Sequence, residues 1–235
     1  MTPMLPARYL PLAFGGTVAT ALTITLLRLA GVDLRAAAAL FGLKDPALFR
    51  VWVYGLWAAL TALVLVRVLK GRGFGADALG WRRGLNPGAA GMAFLAALGA
   101  IFIWFPVDAV RQALGIPLYW DPNQQGFIRP TTGWEFVVAG LTGLVLVPLS
   151  EETIFRGYVL QALVSGFGVW AGLLGHNLLF ALYHLGIGPG LPLYIFFWSF
   201  FPAILFLKYK GIYPAVLMHA LNNVWVDLLM PLFFD

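Results

Sequence analysis

Seven stretches of this chain are long and apolar enough to cross a lipid bilayer, and no other feature restricts its folding choices as much. A hydrocarbon core of about 30 Å needs about 20 apolar helical residues. The runs fall at about Tyr9–Ala30, Leu48–Leu69, Gly88–Val107, Trp134–Pro148 continuing towards Leu163, Phe167–Leu185, Leu191–Leu207 and Tyr213–Phe233. Leu34–Leu43 is apolar too, but its ten residues suit an interfacial helix better than a span. Composition agrees, with 61% hydrophobic and 11% charged residues, too few charges to cover a soluble domain. The predicted fold class is all-α: a polytopic transmembrane helix bundle of seven to eight spans. Residues 1–87 hold N-terminal transmembrane segments and 88–235 the functional core, in a single bundle. The run Leu5–Leu29 lacks a small-residue cleavage site, so it reads as a span and not a signal peptide. No internal repeat is visible.

Charge sets the expected orientation. The formal net charge of +5 marks loops, not nucleic-acid binding. Arg67, Lys70, Arg72, Arg82 and Arg83 crowd the second connection, and Lys208 and Lys210 the sixth. By the positive-inside rule the N-terminus is expected in the cytoplasm, in the cell (plasma or inner) membrane. Leu114–Gly133, containing Asp121-Pro122-Asn123-Gln124-Gln125-Gly126, reads as a loop outside the hydrocarbon. With no cysteine in the chain, disulfides, thiol catalysis and thiolate metal sites are excluded.

The chain has only three glutamates, and two are the neighbours Glu151-Glu152, directly after an apolar run. A charge at bilayer depth costs roughly 2.5–3.5 kcal/mol on insertion scales, so both need a partner, a proton or water. Arg156 follows Glu152 by four residues and shares its helical face. Glu151 points about 100° away and is left to face a cavity. Pro148 and Ser150 also resemble a helix start, where the two carboxylates would only complement the helix dipole. A break after Val147 would equally suit a membrane site lined by broken helices.

All three histidines lie in apolar surroundings. His176 reads as a packing residue. His184 ends the fifth run, and His219 stacks with Asn223 one turn later on a single face. A carboxylate beside a histidine can deprotonate water, and a histidine with an asparagine can donate to an oxyanion. Neither Gly-x-Ser-x-Gly nor His-Glu-x-x-His occurs, so serine-hydrolase and zincin schemes have no support.

Together, Glu151-Glu152-x-x-x-Arg156, Phe180-x-x-x-His184 and His219-x-x-x-Asn223 resemble the three signature motifs of the CPBP intramembrane protease family. That family includes the type II CAAX prenyl proteases (Ras-converting enzymes) and bacterial relatives linked to bacteriocin immunity. The resemblance implies an intramembrane endopeptidase in which Glu151 activates water with His184 beside it. His219 and Asn223 would form the oxyanion hole, and Glu152 with Arg156 would brace the site. It also implies membrane lipids and a peptide or protein substrate, prenylated in the eukaryotic branch, as partners. Zinc is an option, since one carboxylate and two histidines can ligate it; the water scheme requires no metal, and none is expected. Two other readings stand beside this one: a proton- or cation-coupled carrier, for which Asp108 and Asp227 are the only further intramembrane candidates, and a non-catalytic immunity-type partner. The depth of His184 is open: either the fifth helix starts deeper than Phe167, or Gly186–Gly190 turns back into the membrane.

Overall fold

A computed structural model describes residues 5–82, 84–120 and 128–229. The described residues form helices joined by short turns, with no strand among them. Five helices are long and apolar enough to cross a membrane: α1 (Ala7–Leu29), α3 (Pro46–Lys70), α4 (Pro87–Ala113), α5 (Gly133–Phe167) and α7 (Leu191–Tyr209). The shorter α6 (Val169–Tyr183) and α8 (Tyr213–Asn223, continued by a π-helical segment Val224–Leu229) complete seven apolar segments, matching the seven runs. The chain is thus an integral membrane protein. The six-residue α2 (Leu34–Ala39) is too short to span. Arg83, the 121–127 part of the polar loop and the end of the last run after Leu229 lie outside the described residues.

Local signals explain the boundaries. Asp45 and Asn86 accept hydrogen bonds from Ala47 and Ala89, capping α3 and α4 with proline at the first helical position. Thr132 and Glu135 form a capping box that starts α5. In α1, Val18, Leu22, Leu26 and Leu29 make an exposed stripe that suits lipid, whereas Gly16 turns inward, where a Cβ would sit 3.1 Å from the Ala58 Cα of α3. In α4, Ala89, Ala93, Ala97 and Ala100 are all buried, and this small-residue face admits α7 and α8 closely.

Helix α5 corrects one expectation. There is no break after Val147: the helix runs for 35 residues, with π-helical segments at Leu141–Leu146 and Glu152–Leu160. A proline ring clashes with the carbonyl four residues back and lacks an N–H. Here the wider turn preceding Pro148 takes up that misfit without interrupting the helix. The residue five on from Gly143 is Pro148, which has no proton to give, and the Gly143 carbonyl accepts instead from Asn223 Nδ2 at 2.8 Å.

The connections sort into two ends. At one, Ile212 N–H donates to Gly80 O at 3.2 Å, and Gly157 lies against Leu79, so the two lysine- and arginine-rich connections meet. At the other, Trp134 Nε1 donates to Phe41 O. Glu151 is six residues in from Gly157 and His219 seven in from Ile212, so both lie about 10 Å inside the first end at ~1.5 Å per residue. The depth of His184 follows in the same way. Helices α5 and α6 share a hairpin at Gly168; Glu151 is 17 residues back from it and His184 is 16 forward. The short α6 therefore brings His184 level with Glu151.

Candidate active site

Glu151 and Glu152 are both buried, and the structure gives them different surroundings. Glu152 Oε1 accepts from Arg156 Nη1 at 3.1 Å and from His219 Nδ1 at 2.8 Å. Arg156 has no solvent exposure. Its guanidinium lies over the Phe180 ring, 4.3 Å from the centroid, and 5.5 Å from that of Trp198. Arg156 Nη2 also donates to Ser199 Oγ, which donates to Asn177 Oδ1. Ser199 sits at the point where α7 is interrupted between Trp198 and Phe200, and His176 Nδ1 bonds the same Asn177 oxygen. Glu152 and Arg156 pair as their four-residue spacing predicts, and the pair contacts side chains of α6 and α7. Hydrogen bonds engage three of the pair's five polar side-chain atoms, leaving Glu152 Oε2 and Arg156 Nε without one among the described residues.

Glu151 faces the other way. Its Oε1 accepts a hydrogen bond from the Tyr54 hydroxyl of α3, and that hydroxyl lies 2.9 Å from the Tyr183 hydroxyl of α6. Its Oε2 lies 3.9 Å from His219 Nε2 and has no hydrogen-bond partner among the described residues. That separation is too long for a direct hydrogen bond and suits one bridged by water.

His184 caps the C-terminus of α6. Its Nδ1 lies 2.9 Å from Phe180 O; because a carbonyl only accepts, Nδ1 carries the proton and Nε2 is the lone-pair nitrogen of the neutral ring. His184 is not hydrogen-bonded to Glu151, but Glu151 and His219 are both within electrostatic range of it. Asn223, one turn beyond His219, spends one Nδ2 proton on Gly143 O and keeps the other. Asp227, one turn further, faces Gly143. Asp108 pairs instead with Arg111 at 2.6 Å.

The structure thus brings Glu151, Glu152, Arg156, His184 and His219 into one locus, with Asn223 at its edge. Sequence reasoning missed Tyr54, Tyr183, Ser199 and Asn177. The only signal they offered was a hydroxyl or amide within an apolar run, which several other residues share. Among the described residues no group of three His, Cys, Asp or Glu side chains is arranged to hold a metal ion.

Residues 133–225 match the family model described as Type II CAAX prenyl endopeptidase Rce1-like. The match bears out the resemblance carried by the three motifs, all of which lie inside it. No curated protein and no solved structure matches the chain.

Proposed function

We propose that this protein is an intramembrane endopeptidase that hydrolyses a peptide bond close to the membrane surface, with Glu151 as the general base. The observation that carries this reading is the unpartnered Oε2 of Glu151 facing His219 Nε2 across 3.9 Å, inside the segment that matches the endopeptidase family. A water in that position gives one hydrogen to Glu151 Oε2 and the other to the His184 Nε2 lone pair. Glu151 takes the proton as the water oxygen attacks the peptide carbonyl carbon. The oxyanion then receives the second Nδ2 proton of Asn223 and, with Nδ1–H held by Glu152, the Nε2–H of a His219 imidazolium. The proton on Glu151 passes to the amide nitrogen, the C–N bond breaks, and an acid and an amine leave. General-base catalysis of this kind contributes ~10²–10⁴-fold, and a donor to the oxyanion ~10²–10³-fold.

The shallow depth of Glu151 and His219 suits a substrate tethered in the membrane and cut near its surface, such as a prenylated C-terminal peptide. The lysine- and arginine-rich end beside the site supports placing that end, and the N-terminus with it, in the cytoplasm of a cell membrane. No metal enters this scheme. The test is cleavage of an internally quenched peptide with a farnesylated CAAX-type C-terminus by the protein in lipid nanodiscs. Glu151→Gln should cut the rate by at least ~10²-fold while the variant remains folded. Cleavage at the wild-type rate by that variant would remove Glu151 from the mechanism.

A further inference from the structure

The segment that matches the family begins at residue 133, yet Glu151 takes its hydrogen bond from outside it, across 97 residues of chain. Tyr54 lies on α3, between the buried residues Val53 and Gly55, and its hydroxyl has a single proton. Because that proton goes to Glu151 Oε1, the hydroxyl 2.9 Å away on Tyr183 must be the donor between the two tyrosines. Protons therefore point in sequence from Tyr183 to Tyr54 to the carboxylate, and each donation strengthens the next. Tyr183 is buried. Its hydroxyl has room because α1 presents Gly16 there: a Cβ on Gly16 would come within 3.0 Å of that oxygen. Helices α1, α3 and α6 thus converge on one oxygen of Glu151.

We propose that Tyr54, backed by Tyr183, is a positioning residue for Glu151. It occupies Oε1 and fixes the rotamer, which commits Oε2 to the side facing His219. A carboxylate free to rotate would present either oxygen, and the water facing His219 would meet its base only part of the time. The N-terminal helices are on this account part of the catalytic apparatus, holding it from behind while touching no substrate. The kinetic consequence rests on the peptidase reading above; the contact itself does not.

Two measurements separate them. With glutamates at only Glu135, Glu151 and Glu152, δ-¹³C-glutamate labelling isolates three carboxylates in the infrared, and subtracting the Glu151→Gln spectrum assigns the Glu151 band. Tyr54→Phe should shift that band, and coincident bands in wild type and Tyr54→Phe overturn the proposal whatever the activity. In the farnesylated-peptide assay, Tyr54→Phe should lower kcat roughly 10- to 100-fold, the scale of one hydrogen bond to a charged group, with KM unchanged. Tyr183→Phe should lower it a few-fold, and the double variant should be no worse than Tyr54→Phe alone, because Tyr183 acts only through Tyr54. Additive losses, or a loss confined to KM, overturn the positioning role. A band that shifts in Tyr54→Phe while the wild-type protein cleaves nothing upholds the contact and sinks the peptidase reading instead.

Discussion

Replacing Arg156 with methionine tests whether the buried cation is the counterweight of the glutamate pair. Methionine keeps much of the volume over Phe180 but removes the 3.1 Å contact to Glu152, the hydrogen bond to Ser199 and the cation stacked 4.3 Å from the Phe180 centroid. All of this takes place at zero exposure, where solvent screens little. Breaking a buried pair by removing one partner costs about 3–5 kcal/mol, most of it from the charge left behind. For a chain of this size about 2–4 °C of midpoint per kcal/mol applies, so Arg156→Met should melt roughly 6–20 °C lower in thermal unfolding in detergent micelles. Glu152→Gln in the same chain removes the stranded charge while its side-chain carbonyl still accepts from His219 Nδ1. The double variant should therefore recover more than half of the loss. If Arg156→Met lies within about 1 kcal/mol of wild type, or the double variant is as unstable as the two single losses added together, the ion pair is not what balances the site and the reasoning fails.

Two further outcomes follow from packing and from the histidines. A Cβ on Gly172 would lie 2.6 Å from the Val164 Cα, so Gly172→Val should force the α5–α6 hairpin apart and lower the yield of monodisperse protein, an overpacking cost of at least ~1–3 kcal/mol. Gly175→Ala, whose added carbon meets Leu163 Cδ1 at 3.6 Å, is the control and should behave as wild type on size-exclusion chromatography. Because the proposed water activation by Glu151 and His184 uses no metal, dialysis against 1,10-phenanthroline should leave peptide cleavage unchanged; a loss restored by added zinc would mean that Glu151 and the Nε2 atoms of His184 and His219, whose Nδ1 atoms are held by protein oxygens, serve as ligands.

Periodicity and short-range spacing carried much of this protein into view. Apolar runs located the seven helical segments, since lipid imposes a length on each. Four-residue spacing alone gave the Glu152–Arg156 pair and set His219 and Asn223 on one face. What stayed hidden depended on contacts between distant segments or on helix phase. Tyr54 and Tyr183 are ordinary residues of apolar runs until α3 and α6 meet beside α5. Pro148 suggested a helix start because sequence shows the missing N–H but not the wider turn before it. His184 was ambiguous in depth because a 15-residue helix shorter than a bilayer runs counter to the length rule that found the others.

The π-helical turn at Leu141–Leu146 has a consequence for how this chain tolerates insertion and deletion. A turn closed by i→i+5 bonds holds one residue more than an α-turn, so the segment carries a surplus residue whose removal lets the helix heal. Deleting one residue elsewhere between Gly133 and Glu151 rotates everything beyond it by about 100° and swings the two glutamates off their partners. Deleting one from Leu141–Leu146 leaves both flanks in phase. Such a shortened protein would keep Glu151 beside Tyr54, but it would lose the displaced carbonyl that Asn223 grips. The two halves of the site, base and oxyanion donor, are thus separable by length alone, without altering any of their side chains.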